Sequence, residues 1–68
     1  MRKGVNMCDT SAYIRAEGED VIYLESLARI EVDGDMLILV SIFGDRKSLN
    51  GRIIEVNLQG GKVVMERL

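Results

Sequence analysis

From residue 10 to residue 66 the apolar positions fall into short runs and alternations divided by glycine-bearing turns. Residues 10–15 alternate, placing Thr10, Ala12 and Ile14 on one face, as a half-buried strand requires. Glu17-Gly18-Glu19-Asp20 follows as a polar loop, and Val21-Ile22-Tyr23-Leu24 as a second apolar run. Residues 26–32 alternate again, with Ala28, Ile30 and Val32 together. Ser26-Leu27-Ala28-Arg29 also has the makings of one helical turn, too short to change the class. Asp33-Gly34 marks a hairpin, because a type I′ turn needs positive φ, which Asp and Gly tolerate. Residues 36–43 form the longest apolar run, broken only by Ser41. A strand apolar on both faces is buried on both or lies at a subunit contact.

Beyond the turn at Gly44-Asp45-Arg46-Lys47, residues 47–50 read as a short strand and Gly51 as a bulge or sharp bend. Residues 52–58 alternate with Ile54, Val56 and Leu58 pointing one way. Gln59-Gly60-Gly61 then turns the chain into a last strand over residues 62–66. Five or six short strands with turns every 8 to 12 residues predict an all-β protein, a small barrel or sandwich. Apolar residues of both parities (Ile53 beside Ile54, Val63 beside Val64, Leu37 and Leu39 against Ile38 and Val40) leave two readings. Either bulges bring both parities to one core, or a second apolar surface serves homodimerisation.

Size sharpens that choice. The chain of 68 residues is one domain, and a domain of about 60 residues buries only roughly 60% of its unfolded surface. Such domains commonly lean on a disulfide, a metal or a partner chain, and a single cysteine, Cys8, makes no internal disulfide. No apolar run approaches the roughly 18 residues of a membrane span, and no apolar stretch follows the basic start to make a secretory signal. A cytoplasmic protein is therefore expected. A net charge of −2 has the wrong sign for a generic phosphate-backbone binder. Two tyrosines and one phenylalanine are few for a base-stacking surface, so nucleic acid is not an expected partner. The absence of histidine removes the commonest general base and metal ligand, and no enzyme activity is expected.

Most other polar clusters have plain readings. Glu17, Glu19 and Asp20 read as a solvated acidic loop rather than a hard-cation site. Arg46, Lys47 and Arg52 read as solvated turn residues, Gly60-Gly61 as a turn rather than a phosphate loop, and Met36 and Met65 as core. Cys8 is the residue with distinctive chemistry. A lone cysteine in a small apolar domain is ordinarily a buried hydrophobe, but Cys8 precedes the first strand and directly follows Met7. If translation begins at Met7, residues 1–6 are an N-terminal extension outside the natural chain and residues 7–68 the single domain. Trimming of Met7 then gives Cys8 a free α-amine beside its thiol, a pair that closes a five-membered chelate ring. Nitrogen and thiolate donors suit nickel(II) or copper(II) in a planar arrangement. One chain supplies too few donors, so two chains related by a two-fold axis predict one metal per dimer.

Several segments in order resemble one family: Met7-Cys8, the small polar stretch Asp9-Thr10-Ser11-Ala12 leading into Tyr13-Ile14, and Leu24-Glu25. Ala28-Arg29-Ile30-Glu31-Val32, Asp33-Gly34-Asp35, Ile42-Phe43-Gly44-Asp45-Arg46-Lys47, Gly51-Arg52-Ile53-Ile54-Glu55-Val56 and Val63-Val64-Met65-Glu66 continue it. Over residues 7–66 the chain resembles the CooT-like nickel-binding proteins associated with carbon monoxide dehydrogenase maturation, a family also labelled predicted RNA-binding protein. The resemblance implies an SH3- or Sm-like β-barrel and a homodimer. It further implies nickel(II) held by the cysteine after the initiator methionine, here Cys8, and a nickel enzyme as client. Two departures stand out: residues 1–6 precede the motif, and Gln59-Gly60-Gly61 has no histidine at the last turn, where many members carry one. The alternatives are an RNA-binding Sm-like module, favoured by the label and opposed by the charge, and a metal-free protein-interaction module.

Overall fold

Strand β5 organises the molecule because it belongs to two ladders at once. The computed structural model describes residues 10–68, which form six strands and no helix among them. These are β1 (Ser11–Ala16), β2 (Glu19–Leu24), β3 (Leu27–Asp33), β4 (Met36–Ser41), β5 (Arg46–Asn57) and β6 (Lys62–Arg67). The first half of β5 pairs antiparallel with β4, from Arg46↔Val40 to Asn50↔Met36. Its second half pairs antiparallel with β6, from Gly51↔Arg67 to Asn57↔Lys62. Gly51 is where the strand changes partners. Its amide donates to the Asp35 carbonyl, and a Cβ there would collide with the Glu66 carbonyl oxygen. The bend read from Gly51 is thus present, inside one long strand rather than between two short ones.

β6 pairs in parallel with β1, and β1 antiparallel with β2, giving the order β2-β1-β6-β5-β4-β3. Strands β2 and β3 remain as edges, so the ladder of the expected barrel does not close. The sheet nevertheless wraps one core. Ala12, Ile14, Leu24, Leu27, Leu37, Leu39, Leu49, Val63 and Met65, drawn from all six strands, form a single cluster with Tyr23, Ile30 and Ile53 against it. Burying such side chains is worth roughly 1.5–3 kcal/mol each for the larger ones.

Three bulges set which residues reach that core. The register shifts between Ala12 and Tyr13, between Leu27 and Arg29, and between Ile53 and Glu55. Each inserts a residue and reverses the parity of the positions beyond it. Alternation put Ala28, Ile30 and Val32 on one face of β3; the bulge turns Leu27 rather than Ala28 inward, Ile30 packs on the core, and Val32, of the same parity as Ile30, is 64% exposed near the end of this edge strand. Ile54, Val56 and Leu58, expected to point inward, are exposed, and Ile53 is the residue of that stretch that packs inward. Met65 is fully buried as expected, whereas Met36 is not. Strand β4 ends at Ser41, with Leu37, Leu39 and Ser41 inward and Ile38 and Val40 half-buried outward. Ile42 and Phe43 belong to the turn.

That turn explains the polar break in the longest apolar run. Ser41, buried, accepts on its Oγ from the amides of Phe43 and Asp45, each at 3.1 Å. The β1–β2 connection is tighter than the expected four-residue loop: Glu17 and Gly18 alone connect Ala16 to Glu19. Both have positive φ, 55° and 81°, as a two-residue hairpin with the right twist demands.

Candidate functional site

Cys8 lies outside the described residues. The structure does define the platform from which its segment departs. The Thr10 carbonyl accepts from the Leu27 amide at 2.8 Å, and the Ser11 amide donates to the Gly61 carbonyl at 2.9 Å. The start of β1 is therefore pinned between the β2–β3 connection and the β5–β6 turn. The Ser26 carbonyl in turn accepts from the Ile42 amide at 2.8 Å, which ties the β4–β5 turn to the same end. Gly60 and Gly61 make the expected turn, closed by Asn57 Oδ1 and the Leu58 carbonyl.

The acidic residues do not assemble a hard-cation site. Among the described residues no three acidic or sulfur ligands cluster. Asp20, expected in a solvated loop, instead lies on β2 and joins two cations, Arg15 Nε and Lys62 Nζ, each at 2.8 Å. Arg15 also reaches Glu55 at 3.3 Å, so one network crosses β2, β1, β6 and β5 on the outer face. Hydrogen bonding from Arg15, then from Lys62, holds the Asp20 carboxyl well below the usual carboxylate range. The same contacts raise Arg15 and Lys62. Val64 is wholly buried but stands apart from the core cluster. It occupies this outer face, between its register partners Tyr13 and Glu55. Reading Glu17-Gly18 as a two-residue turn would have revealed the Arg15–Asp20 pair, since that turn makes them direct partners.

The basic residues are dispersed as well. Arg52 Nε meets Glu66 at 2.6 Å, so it does not join Arg46 and Lys47. Lys47 Nζ lies 4.6 Å from the centre of the Tyr23 ring and Arg67 5.8 Å from it, while Lys62 covers Tyr13 at 5.1 Å. Both tyrosine rings are thus engaged by the protein's own cations. Phe43, 76% exposed, is the open ring among the three, and one ring is a poor platform for successive bases.

Residues 7–66 match the family described as CO dehydrogenase accessory protein CooT. The chain is 30% identical to an uncharacterised protein of Methanocaldococcus jannaschii over 60 residues, covering 88% of this chain and 98% of that one. An uncharacterised Archaeoglobus fulgidus protein is 35% identical over 43 residues, 63% of this chain and 96% of its own length. A crystal structure from Carboxydothermus hydrogenoformans assigned to CooT superposes with a TM-score of 0.82 at 28% identity, covering 90% of this chain and 98% of that one. The fold is all-β, and the matched family defines an accessory protein rather than a catalyst. The chain belongs to the CooT family of carbon monoxide dehydrogenase accessory proteins.

Proposed function

We propose that this protein is a cytoplasmic nickel(II) carrier that acts as a homodimer, holding one metal per two chains through Cys8 of each, and that its client is a nickel enzyme such as carbon monoxide dehydrogenase. The family match over residues 7–66 carries the reading, because it begins at the Met7-Cys8 pair. The donor set suits the cargo. A thiolate with an α-amine or amide nitrogen on the same residue favours nickel(II) or copper(II) over zinc or hard cations. Two residue steps, at most about 7 Å of chain, separate Cys8 from Thr10, whose carbonyl is fixed to Leu27.

In this reading Cys8 supplies the thiolate and its own nitrogen, the pinned start of β1 presents them, and a two-fold copy completes the donor set. SH3-like wrapping of the sheet provides the scaffold. A chain that starts at Met7 and has that methionine trimmed leaves the Cys8 α-amine free to bind.

The test is a nickel titration of chains beginning at Cys8, beside a Cys8→Ala variant, followed by thiolate-to-nickel absorption and by sedimentation. Saturation at one nickel per two chains, abolished by the substitution, is expected. Binding that survives without Cys8, or a lack of binding by the intact chain, refutes the carrier reading. Intact mass of protein expressed from its native gene decides the start; a product beginning at Met1 removes the α-amine from the site.

A further inference from the structure

We propose that the outer face of β4 and β5 is a docking site for an acidic segment of a partner protein, with Arg46 as the group that receives its carboxylate. The two strands enclose a shallow cleft of about 250 Å³ lined by Ile38, Arg46, Lys47 and Ser48. Register explains its make-up. Ile38 pairs with Ser48 and Val40 with Arg46, so these four side chains share the face opposite the core residues Leu37, Leu39 and Leu49. Ile38 and Val40 give a half-buried apolar floor; Arg46 and Ser48 give an exposed polar wall.

The charges on this face are unevenly matched. On the β3 side of the floor, Arg29 and Glu31 close on each other at 3.1 Å, leaving no net charge there. Across the floor, Arg46 has no carboxylate within ion-pair distance among the described residues, whereas Arg15, Arg29, Arg52 and Lys62 all do. Lys47 also lines the cleft, but its ammonium is spent on the Tyr23 carbonyl at 2.9 Å. That leaves one planar, always-charged fork beside an apolar floor and a hydroxyl. A guanidinium of this kind takes a carboxylate with two parallel hydrogen bonds.

Size selects the occupant. The cleft is smaller than the roughly 300–1,000 Å³ that holds a drug-sized ligand, but it admits one acidic side chain with an aliphatic neighbour on Ile38 and Val40. A nucleic acid would want several cations in line, and here Arg46 stands beside a single lysine whose ammonium is turned to the Tyr23 carbonyl. The fitting partner is a protein segment in which acidic and aliphatic residues alternate. This inference does not depend on the metal, and its test uses the metal-free chain.

The probe is a capped peptide of alternating glutamate and leucine, titrated into nitrogen-15-labelled full-length protein. Counter-probes are the same peptide with glutamine for glutamate, inorganic phosphate, and an oligouridylate. Peptide-induced shifts are expected at the amides of Ile38, Arg46 and Ser48, diminishing with salt. Arg46→Ala should weaken binding about three- to fivefold, the worth of one exposed charge pair. Arg52→Ala, which removes the same charge from the far half of β5, should leave binding unchanged. An otherwise unaltered spectrum establishes that each variant is folded. Absence of shifts at the three amides, equal weakening by both substitutions, or equal binding of the glutamine peptide overturns the proposal. So does tighter binding of phosphate or oligouridylate at the same amides.

Discussion

The Tyr23 hydroxyl donates to the Ser48 carbonyl at 3.2 Å, although β2 and β5 are not neighbours in the sheet. The contact runs both ways, since Lys47 Nζ donates to the Tyr23 carbonyl at 2.9 Å. Tyr23 is the extra residue of the first bulge: Leu24 pairs with Ala12 and Ile22 with Tyr13, leaving Tyr23 without a partner on β1. A side chain freed from the ladder thus ties an edge strand to β5 where no backbone pairing closes the sheet.

Tyr23→Phe should cost about 1 kcal/mol, the net worth of one hydrogen bond. Tyr23→Ala, which also strips the ring from the core and from Lys47 and Arg67, should cost about 3 kcal/mol. Urea unfolding of both variants measures the difference; equal losses would show that the ring contributes nothing, and an unchanged Tyr23→Phe that the hydroxyl contributes nothing.

Ser41→Ala leaves the amides of Phe43 and Asp45 without their side-chain acceptor. Loss of one buried acceptor serving two donors predicts about 1–3 kcal/mol of destabilisation. Amide hydrogen exchange should quicken first at Phe43 and Asp45, before the rest of β4. Uniform quickening across the sheet would contradict this local role.

Gly51→Ala drives a methyl group into the Glu66 carbonyl, where the obstacle is backbone and cannot swing aside. Overpacking of this sort predicts a loss of at least about 1–3 kcal/mol and a shift of β6 amide resonances. A thermal melt unchanged from wild type would mean that β5 and β6 can separate freely at this point.

Acid should act through Asp20. Its folded-state carboxyl titrates below its unfolded value near 4, so its contribution is complete above that value and is lost as pH falls through the folded one. Asp20→Asn should therefore be less stable than wild type at neutral pH and should converge with it on acidification below about pH 4. Added salt should narrow the neutral-pH gap, because exposed pairs are screened. Parallel stability curves for the two proteins from pH 7 to pH 2 would remove Asp20 from the acid response.

Much of this molecule can be read from local pattern. Ala12 and Ile14 on β1, the hairpin at Asp33-Gly34 and the bend at Gly51 come from alternation and from turn chemistry, which act over a few residues. Cys8 lies outside the described residues, and its reading rests on the Met7 before it. Bulges are different. The choice of Ile53 over Ile54 and of Leu27 over Ala28 depends on how a neighbouring strand slides past, and no local pattern encodes the slip. The same holds for Val64, buried on the outer face because Tyr13 and Glu55 arrive beside it from β1 and β5.

The Asp20 network is likewise a product of register between strands distant in the chain, with β1 and β2 meeting β5 and β6. An all-β chain of five or six short strands, the turns at Asp33-Gly34 and Gly60-Gly61 and an acidic net charge were legible in the residues themselves, because each depends on side chains within a few positions or on their sum. Long-range pairing, by contrast, leaves the sheet open and sets Tyr23 across its open side. Those outcomes depend on where three bulges fall, and a shift of one residue in any of them would turn the affected side chains to the other face.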